Sequence, residues 1–287
     1  MRWRFTLRVN RMNPVPCSLS MFDYFGGIDF SGAKEPLSNL WSAVGREQDG
    51  KLHVLALCPH AFRQDLAHYV AGGWRRQVRA GDEAPILWGA DFPFGLPAAA
   101  TEALGETRAG WAQLVAWVAD RPADEVRDAF PEHHRAPRRT DTGGAMAPLD
   151  LRLYKQTTEG LRWLHELRET GDVSIVPQAP SPGAPTTLVE VYPSGTVTDL
   201  GLRCRRTPSR PGEVRARPAA LRPYLTFADP CTEAIAVTLE DAWDAVIACL
   251  TAYLARHDLE QPFRLHPGER AALEREGWIY RAPDALG

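Results

Sequence analysis

The chain has 287 residues, 44% hydrophobic and 24% charged, with too little Gly and Pro for a disordered polymer. A net charge of −3 excludes a uniformly basic nucleic-acid coat protein, and no apolar run approaches the ~20 residues that cross a bilayer, so a membrane-embedded protein is excluded too. Five cysteines without a Cys-x-x-Cys pair remove zinc-ribbon and dithiol readings, and the odd count points to a reducing cytoplasm.

Residues 1–20 carry four arginines, and Arg8 interrupts their only apolar stretch, so no secretory signal is expected there. They are set aside as an extension before Met21, and residues 21–287 are expected to form a single domain. Tyr24 to Phe30 reads as a buried strand ending on Asp29 and a Ser31-Gly32 turn. Strands at 41–45 and 53–57 follow, joined by a turn whose Asp49-Gly50 pair signals a hairpin. Phe62, Leu66, Tyr69, Val70, Trp74 and Val78 then recur at helical spacing over 61–79. Residues 85–90 form a fourth apolar strand that runs into Asp91-Phe92-Pro93-Phe94-Gly95.

Residues 96–170 read as a largely helical insertion with a polar loop from Arg135 to Asp150. Beyond it, 173–176 and 186–192 are β-rich, the second ending near Glu190, and four prolines separate them. Glu190 alternates with Val189 and Val191 and so faces the opposite side of its strand from both, either toward solvent or as a further catalytic acid beside Asp29, Asp91, Asp241 and Asp244. Last, Thr238 to Arg256 makes a helix with one apolar face and one of small residues, Ala245, Ala248 and Ala252, which predicts packing on both sides. Thr238 reads as its N-cap, and the helix dipole accounts for Glu240 and Asp241 but not for Asp244. A meander followed by crossovers is a mixed α/β arrangement with antiparallel and then parallel strands.

The acids carry the chemistry. Asp29, Asp91 and Glu190 sit at strand ends, and Asp241 and Asp244 open the last helix. Neighbouring parallel strands lie ~4.8 Å apart, so acids at matching ends come close enough that a proton or a cation must separate them. Oxygen ligands without His or Cys suit Mg²⁺ or Mn²⁺, and such a site clamps a phosphodiester, one ion activating water and a second stabilising the leaving oxygen. The metal ligands are expected among Asp29, Asp91, Asp241 and Asp244. Seven arginines between Arg203 and Arg222, including Arg205 and Arg206, have Glu213 as their one acidic neighbour and suit phosphate. Together with Lys155 and the Arg138-Arg139 pair they are expected to form a positive rim for a nucleic-acid partner.

Six segments in order, Gly27-Ile-Asp29-Phe-Ser31-Gly32, Ala90-Asp91-Phe-Pro93-Phe-Gly95, Arg139-Thr-Asp141, Tyr154-Lys155-Gln156-Thr157, Glu190-Val-Tyr-Pro193-Ser194 and Asp241-Ala-Trp-Asp244-Ala, resemble a bacterial and archaeal domain-of-unknown-function family. That family is described as predicted nucleases of RNase H-like fold, and the similarity runs from Tyr24 to about Tyr280. The resemblance implies an RNase H-like sheet and a metal-dependent nuclease with Mg²⁺ or Mn²⁺. By position, Asp29 and Asp91 match the acids of its first and fourth strands, and Asp241 or Asp244 that of its last helix, in a resolvase-like spacing. Of the acid often found on the first helix there is only Asp65. Ser31, Arg139, Asp141 and Lys155 fall in the same motifs and are expected on the substrate side. Two other functions share the core fold: an actin-like enzyme handling nucleotide phosphates, and a nucleic-acid-binding module without catalysis. P-loop, Gly-x-Ser-x-Gly and His-Glu-x-x-His motifs are absent from the sequence.

Overall fold

A computed structural model describes residues 21–33, 39–105, 110–141, 144–202, 217–260 and 267–282. Among the described residues, eight strands build one sheet: β1 (Tyr24–Asp29), β2 (Trp41–Gln48), β3 (Lys51–Pro59), β4 (Ile86–Asp91), β5 (Val173–Val176), β6 (Thr186–Val191), β7 (Leu225–Phe227) and β8 (Ile279–Tyr280). Their order is β5-β6-β4-β1-β2-β3-β7, with β8 on β6. The hairpins β1-β2 and β2-β3 are antiparallel, and β1-β4 and β4-β6 are parallel. This mixed sheet flanked by helices is consistent with an RNase H-like α/β fold.

The expected helix over 61–79 is broken into α1 (Arg63–His68), a wide turn at Tyr69–Gly73 and α2 (Trp74–Val78). The apolar spacing survives, but the Gly72-Gly73 pair has no side chains to hold a continuous helix there. The insertion supplies α3 (Ala98–Ala103), α4 (Trp111–Ala119), α5 (Ala123–Asp128) and α6 (Tyr154–Glu169). After β6 come α7 (Pro193–Asp199), α8 (Pro230–Thr238), α9 (Glu240–Glu260) and α10 (Pro267–Glu276). Thr238 does not cap α9 as expected: it ends α8, where its hydroxyl donates to the Ala234 carbonyl at 2.6 Å. Asp229 caps α8 instead, accepting from the backbone amides of Cys231 and Thr232 at 2.8 and 3.0 Å.

Alternation along the strands sorts side chains between two cores. Ile28, Ile86, Trp88, Ala90 and Leu188 face the insertion, where they meet Phe94, Leu114, Leu161 and Trp163. Phe25, Leu87, Val189 and Val191 face α9, whose Trp243, Ala245, Val246, Ala248, Cys249 and Ala252 are all buried, so this helix is packed on both sides as its composition predicts. Gly27 explains how α9 comes so close: a Cβ there would lie 2.1 Å from the Ala245 carbonyl oxygen and 2.1 Å from the Cys249 amide. The missing side chain lets the helix cross directly over β1, and that crossing carries the residue before Ala245, Asp244, to the sheet.

Candidate metal centre

Asp29 and Asp91 are register partners at the C-terminal ends of adjacent parallel strands. Counting in twos from Phe25 and Leu87, both aspartates face α9. Asp244 arrives from that helix, and one carboxylate oxygen from each of Asp29, Asp91 and Asp244 lies within 4.8 Å of the others. Asp29 and Asp244 are buried, at 4% and 3% exposure, and Asp91 is half-buried. Three carboxylates this close cannot all stay ionised without a compensating positive charge. The donor set is all oxygen, which suits a hard divalent cation that keeps open positions.

The strand ends are held from the insertion side. Phe30 and Phe92, each following one of the aspartates, stack with centroids 4.6 Å apart, and Phe92 reaches Phe94 at 4.9 Å and Trp163 at 6.1 Å. Such ring pairs contribute about 0.5–1.5 kcal/mol each beyond their burial. Gln156, on the first turn of α6, donates from its side-chain amide to the Asp91 carbonyl at 2.7 Å. Gly32 permits this, because a Cβ there would meet the Gln156 backbone nitrogen at 2.3 Å.

These elements enclose a cavity of about 250 Å³ open to solvent, lined by Asp29 and Asp91 together with Ser31, Asn39, Gln156, Tyr192, Ser194 and Asp241. Asp241 lines the mouth but stands outside the three-aspartate group, one helical turn before Asp244. Ser31 accepts from the Ala33 amide at 3.2 Å. Lys155 is exposed, its ammonium 5.8 Å from the Tyr154 ring, and Arg139 is exposed with its backbone amide on Glu276.

Two expectations need correcting. Glu190 does not face solvent: it is 3% exposed and shares the insertion face with Leu188, opposite the face that carries Asp29 and Asp91. The insertion covers that face, and Glu190 is ion-paired there with Arg138. Arg138 therefore belongs to no surface rim. It is 3% exposed and also bonds Asp141, whose side chain is equally enclosed. Burial is the largest influence on both partners: it pushes the Glu190 carboxyl above the usual carboxylate range against the pull of Arg138, while Glu190 and Asp141 outweigh it for Arg138 and hold the guanidinium protonated. Arg217, from the arginine-rich stretch, is likewise buried, 4.7 Å over the Trp243 ring. Arg203, Arg205 and Arg206 lie outside the described residues, as do residues 1–20.

Sequence reasoning missed Glu276. Its carboxylate, 2% exposed, accepts from the backbone amides of Ala98 and Arg139 at 2.7 and 2.8 Å and so seats the loop that carries Arg138. Nothing in the polar sequence of α10 marks this residue out, since its partners are backbone groups from distant segments. Asn39, Tyr192 and Ser194 reach the cavity as residues flanking β2, β6 and the start of α7.

No helix among the described residues is long and apolar enough to cross a membrane. Neither the curated proteins nor the solved structures offer a match to the chain. A family model described as protein of unknown function (DUF429) matches residues 27–269, a span that holds all three clustered aspartates, and the chain belongs to that family.

Proposed function

We propose that the protein is a Mg²⁺- or Mn²⁺-dependent phosphodiesterase that cleaves nucleic acid. The observation that carries this reading is the approach of Asp29, Asp91 and Asp244 to within 4.8 Å at the C-terminal ends of the adjacent parallel strands β1 and β4, where open α/β sheets place their ligands. These three residues would hold the cation. When bound, it supplies Lewis acidity toward a phosphoryl group and lowers the pKa of water.

The remaining groups fit a phosphodiester. Asp241 at the mouth can take a proton from water or hold it in line. Ser31 and Ser194 offer hydroxyl donors, and exposed Lys155 and Arg139 offset the repulsion between phosphates and the carboxylates. Cys58, Cys231 and Cys249 are free thiols, which fits a reducing cytoplasm.

The test is incubation of the purified protein with labelled single- and double-stranded DNA and RNA, with Mg²⁺, with Mn²⁺ or with chelator. Cleavage that needs the cation and disappears in Asp29→Asn and Asp244→Asn supports the reading. Equal cleavage by the Asp244→Asn protein, or none of any substrate with either cation, contradicts it.

A further inference from the structure

The cavity holds two sets of acids, one on each face of the sheet edge. On the α9 side Asp29 and Asp91 line it, with Asp244 buried against them; on the insertion side Asp141 and Glu190 line it. The second set already has a cation. The Arg138 guanidinium donates from Nε and Nη2 to Asp141 Oδ1 at 2.8 and 2.7 Å, and from Nη1 to Glu190 Oε2 at 2.8 Å, with a further short bond from Nη2 to Glu190 Oε1. All three side chains are 4% exposed or less. Arg138 also donates to the Glu276 carbonyl at 2.7 Å, and Glu190 accepts from the Phe94 amide at 2.9 Å. The fork therefore ties together the turn after Asp91, the loop at 138–141, β6 and the end of α10.

Stability gives only a weak reason for such a group. Buried ion networks are often replaceable by apolar side chains at no loss, although removing one partner alone is costly. A planar fork that grips two carboxylates does have another consequence: it occupies Asp141 Oδ1 and both Glu190 oxygens with a charge that never dissociates, while Asp141 Oδ2 takes the Arg138 backbone amide at 2.6 Å. On the reading that the aspartate trio binds a divalent cation, we propose that Arg138 is the resident cation of the insertion half of the cavity. It withholds Asp141 and Glu190 from the exchangeable ion and so confines that ion to Asp29, Asp91 and Asp244.

Mn²⁺ titration tests this, with free Mn²⁺ followed by its paramagnetic resonance signal, so that the readout is a count of bound ions. The proteins are the wild type, Arg138→Lys, Arg138→Met, and the triple variant Arg138→Met, Asp141→Asn, Glu190→Gln. The expected result is one Mn²⁺ on the wild type and on Arg138→Lys, one more on Arg138→Met, and a return to the wild-type count in the triple variant. An Arg138→Met protein that binds Mn²⁺ as the wild type does overturns the proposal. If Arg138→Met does not fold, Glu190→Gln in the wild-type background decides: an unchanged count supports the proposal, and a lost Mn²⁺ overturns it by making Glu190 a ligand. A wild type that binds no Mn²⁺ while Arg138→Met binds one overturns only the reading of the trio as a working site; no binding by any protein overturns both.

Discussion

Asp29→Asn is expected to make the metal-free protein more stable while removing its response to metal. Two unit charges at the 4.8 Å limit of the cluster repel by about 3 kcal/mol at an effective dielectric of 20, and Asp29 has two such neighbours. Asparagine keeps the shape and removes one charge, leaving a single repelling pair. We expect a gain on the order of 1–3 kcal/mol, or a melting temperature about 2–6 °C higher in chelator. Saturating Mg²⁺ or Mn²⁺ narrows or closes this gap. A wild-type protein at a hundred times its dissociation constant gains about 2.7 kcal/mol, and the variant gains much less. Melting curves of both proteins, with chelator and with each cation, read all four values. A variant that melts lower than wild type in chelator yet rises as far with metal would show that Asp29 is an ordinary turn-forming residue and no metal ligand.

Three further outcomes follow from the packing. Gly27→Ala forces α9 away from β1 by a clash with backbone atoms, so it should destabilise the protein by about 1–3 kcal/mol and weaken Mn²⁺ binding as Asp244 moves with the helix; unchanged melting and affinity would contradict the close crossing. Gln156→Ala removes the bond to the Asp91 carbonyl and should cost about 0.5–1.5 kcal/mol, measured by denaturant unfolding, with a melting curve identical to wild type counting against it. His60, buried beside Ser42 at 2.8 Å, has its pKa pushed down to about 4 by burial. The unfolded chain therefore takes up a proton between about pH 6.5 and 4 that the folded protein refuses, so stability is full above that window and falls through it by up to about 3 kcal/mol. His60→Gln should flatten this part of the profile in unfolding experiments at a series of pH values, and an unaltered slope would show that other groups cause it.

Much of the site was legible because it depends on strand periodicity. Asp29 and Asp91 end apolar runs, and their parallel pairing puts both on one face, as the meander-then-crossover order required. Which acid of the last helix joins them was not legible, because Asp241 and Asp244 both open that helix. The choice is made by Gly27, whose contact with the Ala245 carbonyl fixes the helix at the level of Asp244. The surroundings of Glu190 are hidden from the sequence for a related reason. Alternation with Val189 and Val191 gives its face correctly, but whether that face is wet depends on Arg138, 52 residues earlier in a loop without periodicity. Likewise, α7, α8 and α10 are short or polar, and β7 and β8 hold three and two residues, too few for a period to register.

The most direct measurement is anomalous scattering from a crystal of the protein soaked in Mn²⁺. A peak ligated by Asp29, Asp91 and Asp244 is expected, with Arg138 still between Asp141 and Glu190. A saturated crystal with no peak among the three aspartates, or with manganese held by Glu190 instead, would contradict that assignment.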